Sequence, residues 1–132
     1  MYKQQITNNK FQTNSNSQIK IFDLEERTKK FAENCRDLTL NVSKSIPNIE
    51  YSKQLIRSSA SPAANYIEAN EALSKKDFVM RVKICRKEAK ESKLWLELLI
   101  IENPKQDQTR VDLIKEAIEL VKIFSSIIAK SV

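Results

Sequence analysis

The sequence predicts an all-α protein, an antiparallel up-down-up-down four-helix bundle. Two observations carry this. From Asp23 onward apolar residues recur at alternating steps of four and three, and only three short breaks interrupt that period. Short connections between long helices force neighbours to run antiparallel. At 132 residues the chain fits one domain, long enough to enclose a hydrophobic core without disulfides or a structural metal.

Residues 1–22 are rich in Asn, Gln and Ser and read as a flexible polar arm. The first helix is expected over about 23–46, with Asp23 as N-cap and Glu25 and Glu26 in the first turn. Its stripe is Leu24, Thr28, Phe31, Cys35, Leu38, Val42 and Ile46, and "IPN" is expected to stop it at Pro47. The second, about 49–73, has a narrow face of Leu55, Ile56, Ser59, Ala63, Tyr66 and Ile67. Pro62 inside it predicts a kink or a local break near Ser58 to Ser61.

The third, about 75–102, opens on the capping box Ser74 to Asp77 and repeats Phe78, Val82, Cys85, Ala89, Ser92, Leu96 and Leu99, ending at "ENP". The fourth, about 107–131, carries one row of Val111, Ile114, Ile118, Val121, Ser125 and Ile128. A second row holds Leu113, Ala117, Leu120, Phe124 and Ile127, so it is apolar over an unusually wide arc.

What is missing narrows the chemistry. The chain has no histidine, so the commonest neutral-pH base and imidazole metal ligand are both lacking. It has no glycine, which excludes Gly-rich phosphate loops and dinucleotide fingerprints. Cys35 and Cys85 are far from any metal-binding spacing and sit on the apolar stripes, so they read as small buried hydrophobes. No catalytic residue, metal site or cofactor is expected. Without a leader or a membrane-length apolar run, a cytoplasmic location off the membrane is the expectation.

The net charge of +6 favours polyanions. Opposite the core of the third helix, Lys76, Lys83, Lys87 and Lys90 share one stripe, with Arg86 and Lys93 to one side. These six are the nucleic-acid-binding candidates, against the plainer reading of a solvated face. No aromatics interleave with them, so a sequence-reading single-strand site is not supported. Beside the core stripe runs a second seam, Ile84, Glu88, Glu91, Trp95 and Leu98, expected to be either a subunit contact or a wide core edge. On the second helix, Arg57, Ser61, Asn65 and Glu68 form a polar row expected to point away from the apolar side.

Two stretches carry a family resemblance. "RSSASPAANYIEA" and "KEAKESKLWLELL" are similar to the paired signatures of bacterial four-helix-bundle proteins known as 23S rRNA-intervening sequence proteins. The matching positions are Arg57, Ser58, Ser61, Asn65 and Glu68, then Glu88, Ala89, Glu91, Trp95 and Leu96. Ala69 stands where the pattern has glycine, and Pro62 comes one position early. The resemblance implies a ring-shaped homo-oligomer, commonly a homopentamer, with no enzymatic activity and no established molecular role. That family is also similar to the accessory variability determinant of diversity-generating retroelements, which implies RNA or DNA and a reverse transcriptase as partners. Two functions follow as expectations: sequence-tolerant nucleic-acid binding through basic surface, or a protein interaction scaffold without nucleic acid.

Overall fold

The structure is a computed structural model that describes residues 24–131, so the expected 1–22 arm and the Asp23 cap lie outside the described residues. Four helices follow one another: α1 Leu24–Asn41, α2 Ile46–Asn70, α3 Lys75–Leu98 and α4 Pro104–Ser131. Among the described residues there is no strand. Each helix packs on its two neighbours, α1 on α2, α2 on α3, α3 on α4 and α4 back on α1, whereas the backbones of diagonal helices stay further apart. Cross-helix bonds fix the directions. Asn65 meets Arg81, Pro62 meets Cys85 and Ser58 meets Ser92, so α3 is traversed in reverse as α2 is followed forward.

The α1 stripe is buried from Leu24 to Val42, and every member of the α3 stripe from Phe78 to Leu99 is buried. On α4 the row Leu113, Ala117, Leu120, Phe124 and Ile127 is the inner one, whereas Val111 and Ile118 are exposed. Each helix contributes one large buried aromatic ring: Phe31, Tyr66, Phe78 and Phe124. All four lie in the half of the bundle that contains the 71–74 turn. Both cysteines are fully buried. Burial raises each thiol from 9.0 to about 12, although Ser59 bonding to Cys35, and the Cys85 backbone together with Arg81 around Cys85, pull the other way.

A folded-state value above the unfolded one stabilises at low pH. That contribution is complete below about pH 9 and is lost as pH rises towards about 12, because only the unfolded thiols then release protons. Urea midpoints are therefore expected to fall between these pH values. Cys35→Ala/Cys85→Ala should flatten the fall, and the folded wild type should resist thiol reagents at pH 8.

The helix boundaries differ from expectation at both outer prolines. Pro47 and Pro104 begin helices instead of ending them, because a proline in the first turn lacks an amide that would be unpaired there anyway. Ser45 caps α2 by accepting from the Asn48 amide at 3.3 Å. Asn103 caps α4 by accepting from the amides of Lys105 and Gln106 at 2.9 and 3.0 Å. Ile46, expected at the end of the α1 stripe, is therefore the exposed first residue of α2. Ser74 accepts from the Asp77 amide at 3.1 Å, the forward half of the expected box.

No break occurs at Pro62, which is buried within a continuous α2. The buried face of α2 is Leu55, Ser58, Ser59, Pro62, Tyr66 and Ala69, rotated from the expected one, with Ile56 and Ile67 exposed. No described residue has positive φ, so every turn is built without a left-handed residue.

The end of the bundle that holds turns 42–45 and 99–103 is cross-braced. Asn48, only 1 % exposed, donates to the Ser43 carbonyl at 3.0 Å and the Ile100 carbonyl at 2.9 Å, and accepts from the Ile100 amide at 2.8 Å. Arg110 donates to the Leu99 carbonyl, neutralising the C-terminal end of α3, and pairs with Asp107. On the α1–α4 side, Arg27 holds Glu116 by two bonds of 2.7 and 2.8 Å, which raise the guanidinium pKa against the opposing effect of burial.

Candidate functional site

The expected polar row of α2 does not point away from the fold. It lies on the α3 side, because burying Ser58 and Pro62 turns Arg57 and Asn65 towards α3. Arg57 donates to Glu88 and to Glu91, both at 3.3 Å, and Arg81 donates to Asn65 at 3.0 Å. Asn65 in turn donates to the Ser61 hydroxyl at 3.0 Å. Beneath this row Ser92 donates to Ser58 at 2.9 Å, with both residues wholly buried. Small side chains thus let α2 and α3 approach closely, and a polar ladder along their outer edge seals the contact. Glu68, at the end of the row, is exposed.

The second seam of α3 is split by the same geometry. Glu88 is buried at 7 % exposure under Arg57, and Trp95 packs on Tyr51 of α2 with ring centroids 6.1 Å apart. These two belong to the α2–α3 contact within the chain. Ile84 and Glu91 are half-buried, and Leu98 is exposed. Glu88 and Glu91 are held by a guanidinium, an arrangement that ties both carboxylates to fold cohesion. Among the described residues no three Cys, Asp or Glu side chains gather to hold a metal ion.

The basic candidates fall into two groups. Lys76, Lys83, Lys87 and Lys90 are exposed along the outer face of α3. Of these only Lys87 approaches a carboxylate among the described residues, Glu88 at 3.9 Å. Arg86 turns towards α4, donating to the Ser125 hydroxyl at 3.4 Å, and Lys93 pairs with Glu97 of its own helix at 3.8 Å. Beside the stripe an open groove of about 770 Å³ is lined by the apolar Val79, Met80 and Ile84 and by Lys75, Lys76, Lys83 and Lys87, with Asp77 as an acidic member. Sequence reasoning missed Asn48, Arg81 and Arg110, each of which has a partner on another helix or turn. No helix among the described residues is long and apolar enough to cross a membrane.

A solved structure from Bacteroides thetaiotaomicron VPI-5482, described as a protein with unknown function from the S23 ribosomal protein family, is similar to this fold. It has a TM-score of 0.67 and 32 % identity over 80 % of this chain and 97 % of its own. No curated protein matches the sequence. The family profile for 23S rRNA-intervening sequence proteins matches residues 21–126, which take in α1, α2, α3 and most of α4 together with the Arg57–Glu88–Glu91 ladder. The chain belongs to the 23S rRNA-intervening sequence protein family.

Proposed function

We propose that this protein is a non-enzymatic, cytoplasmic homo-oligomer that binds RNA or DNA through the phosphate backbone. The observation that carries this reading is the exposed stripe Lys76, Lys83, Lys87 and Lys90 on one helix. It spans about 21 Å at 1.5 Å per residue, a straight rail for several successive phosphates. Assembly as a ring, a pentamer by family resemblance, repeats the stripe once per subunit. Contacts to phosphate carry no sequence information, so binding is sequence-tolerant.

The test is fluorescence anisotropy with a labelled RNA hairpin and a duplex DNA of unrelated sequence. For four phosphate contacts on duplex DNA the affinity should fall with salt at a log–log slope of roughly −3.6. Replacing the four lysines with alanine should weaken binding at least tenfold and flatten that slope. Negligible affinity of the wild type at about 50 mM salt, where electrostatic binding is strong, would sink the reading.

A second reading, a protein scaffold without nucleic acid, is favoured by exposed apolar residues on the outer faces, among them Met80, Leu94 and Leu98. A protein partner, a reverse transcriptase by family resemblance, that stays bound after nuclease treatment would favour it.

A further inference from the structure

We infer that the nucleic acid taken by this face carries an unpaired, unstacked nucleotide, such as a bulge, whose base lies over Met80 and Ile84. The inference rests on phosphate binding by the lysine stripe and narrows its substrate class. Two features of the groove have no use on a surface that meets phosphates alone. One is apolar: Met80 is 47 % exposed and Ile84 half-buried, and both share the lining with lysines. The other is acidic: Asp77 is exposed in the same lining, and among the described residues its carboxylate is engaged in no salt bridge.

A regular duplex offers this face a row of phosphates, with its bases stacked and their pairing edges already used. Against it Met80 would cover no apolar surface, and Asp77 would only repel. An unpaired nucleotide presents a bare base face, free N–H groups on its pairing edge and a phosphate on either side. The groove holds a counterpart for each of the three.

The spacing places these counterparts side by side. Asp77, Met80 and Ile84 follow at steps of three and four, which sets them on one stripe of α3 next to the lysines. Lys76 lies four residues before Met80, and Lys83 and Lys87 lie three and seven after it. Cations therefore stand about 6 Å to one side of Met80 along the axis and about 5 and 10 Å to the other, where they can hold the phosphates that flank an extruded base. Every base has at least one N–H on its pairing edge for a carboxylate to accept, and aliphatic side chains cover any base face, so the preference is for structure and binding stays sequence-tolerant. A paired base would first have to leave its stack, a cost that is lowest where pairing is already absent. One nucleotide needs no row of aromatic platforms of the kind that a strand-length track uses.

Fluorescence anisotropy with labelled RNA hairpins whose stems differ only by one bulged nucleotide tests this. The wild type should bind the bulged hairpin roughly fivefold more tightly than the perfect one, the order expected for covering one apolar side chain. Met80→Gln should bring the bulged hairpin to the level of the perfect one and leave the latter unchanged, with circular dichroism confirming the helices. Asp77→Ala should tighten binding of the perfect hairpin, through the loss of a repulsive charge, yet reduce the preference for the bulge. With 2-aminopurine as the bulged base, fluorescence should rise on binding the wild type as the base unstacks, and not on binding Met80→Gln. Equal wild-type affinity for the two hairpins would overturn this inference and leave phosphate binding standing. So would a preference that survives Met80→Gln, or an Asp77→Ala variant that tightens both hairpins equally. A wild type that binds neither hairpin at about 50 mM salt would remove both readings together.

Discussion

Asn48→Ala is expected to cost about 3 kcal/mol of stability, because it strips buried bonds from two turns at once. The side chain links the Ser43 carbonyl at the end of α1 to both the amide and the carbonyl of Ile100 after α3. Its removal leaves these groups unpaired where water reaches poorly, and an orphaned buried donor or acceptor costs more than a bond contributes. Thermal unfolding followed by circular dichroism should show a midpoint lowered by roughly 10 °C. A loss well under 1 kcal/mol would mean that water replaces the amide at no cost and that the brace is ornamental.

Ser92→Leu is expected to be similarly damaging, at about 3 kcal/mol, through overpacking at the closest approach of α2 and α3. Ser92 and Ser58 are wholly buried with their hydroxyls 2.9 Å apart, so no space exists for a branched side chain. Ser92→Ala is the control and should cost only about 1 kcal/mol, the worth of one ordinary hydrogen bond, since Ser58 keeps its bond to the Leu55 carbonyl. Equal losses in the two variants, measured by urea unfolding, would show that the hydrogen bond and not the close packing holds this seam.

Much of the bundle was legible because large apolar side chains print their period on the sequence. The stripes of α1 and α3, anchored by Phe31, Leu38, Phe78 and Leu96, are buried as expected. The buried face of α2 is rotated from the one its apolar period predicts, because Ser58, Pro62 and Ala69, which fill its core side, carry little hydrophobic signal, whereas Ile56 and Ile67 do and are exposed. Pro47 and Pro104 look like stops by the rule that proline breaks helices, yet the residues before them hold the clue: Ser45 and Asn103 are good caps, and proline after a cap starts a helix.

Of the candidate site, the exposed lysine stripe was legible from spacing alone. The pairing of Arg57 with Glu88 and Glu91 was not, since it depends on how far α2 is rolled against α3, a quantity set by the small residues between them. Asn48 was illegible for a different reason: its partners sit in turns whose paths are fixed only when all four helices are assembled.

The absence of glycine from the chain, together with the absence of positive φ among the described residues, has an energetic consequence in the unfolded chain. A sequence of this length and ordinary usage would carry about nine glycines, each adding backbone freedom that must be surrendered on folding. This chain starts from a stiffer ensemble, and each position that is not glycine where one would be tolerated is worth roughly 0.4–1 kcal/mol. The saving has a counterpart in the turns. With no left-handed residue among the described residues to reverse the chain, direction changes between the helices rest on the polar side chains of Ser45, Asn48, Ser74 and Asn103. The entropy kept out of the backbone is thus exchanged for enthalpy concentrated in four side chains, which makes the corners of the bundle chemically encoded instead of conformationally permissive.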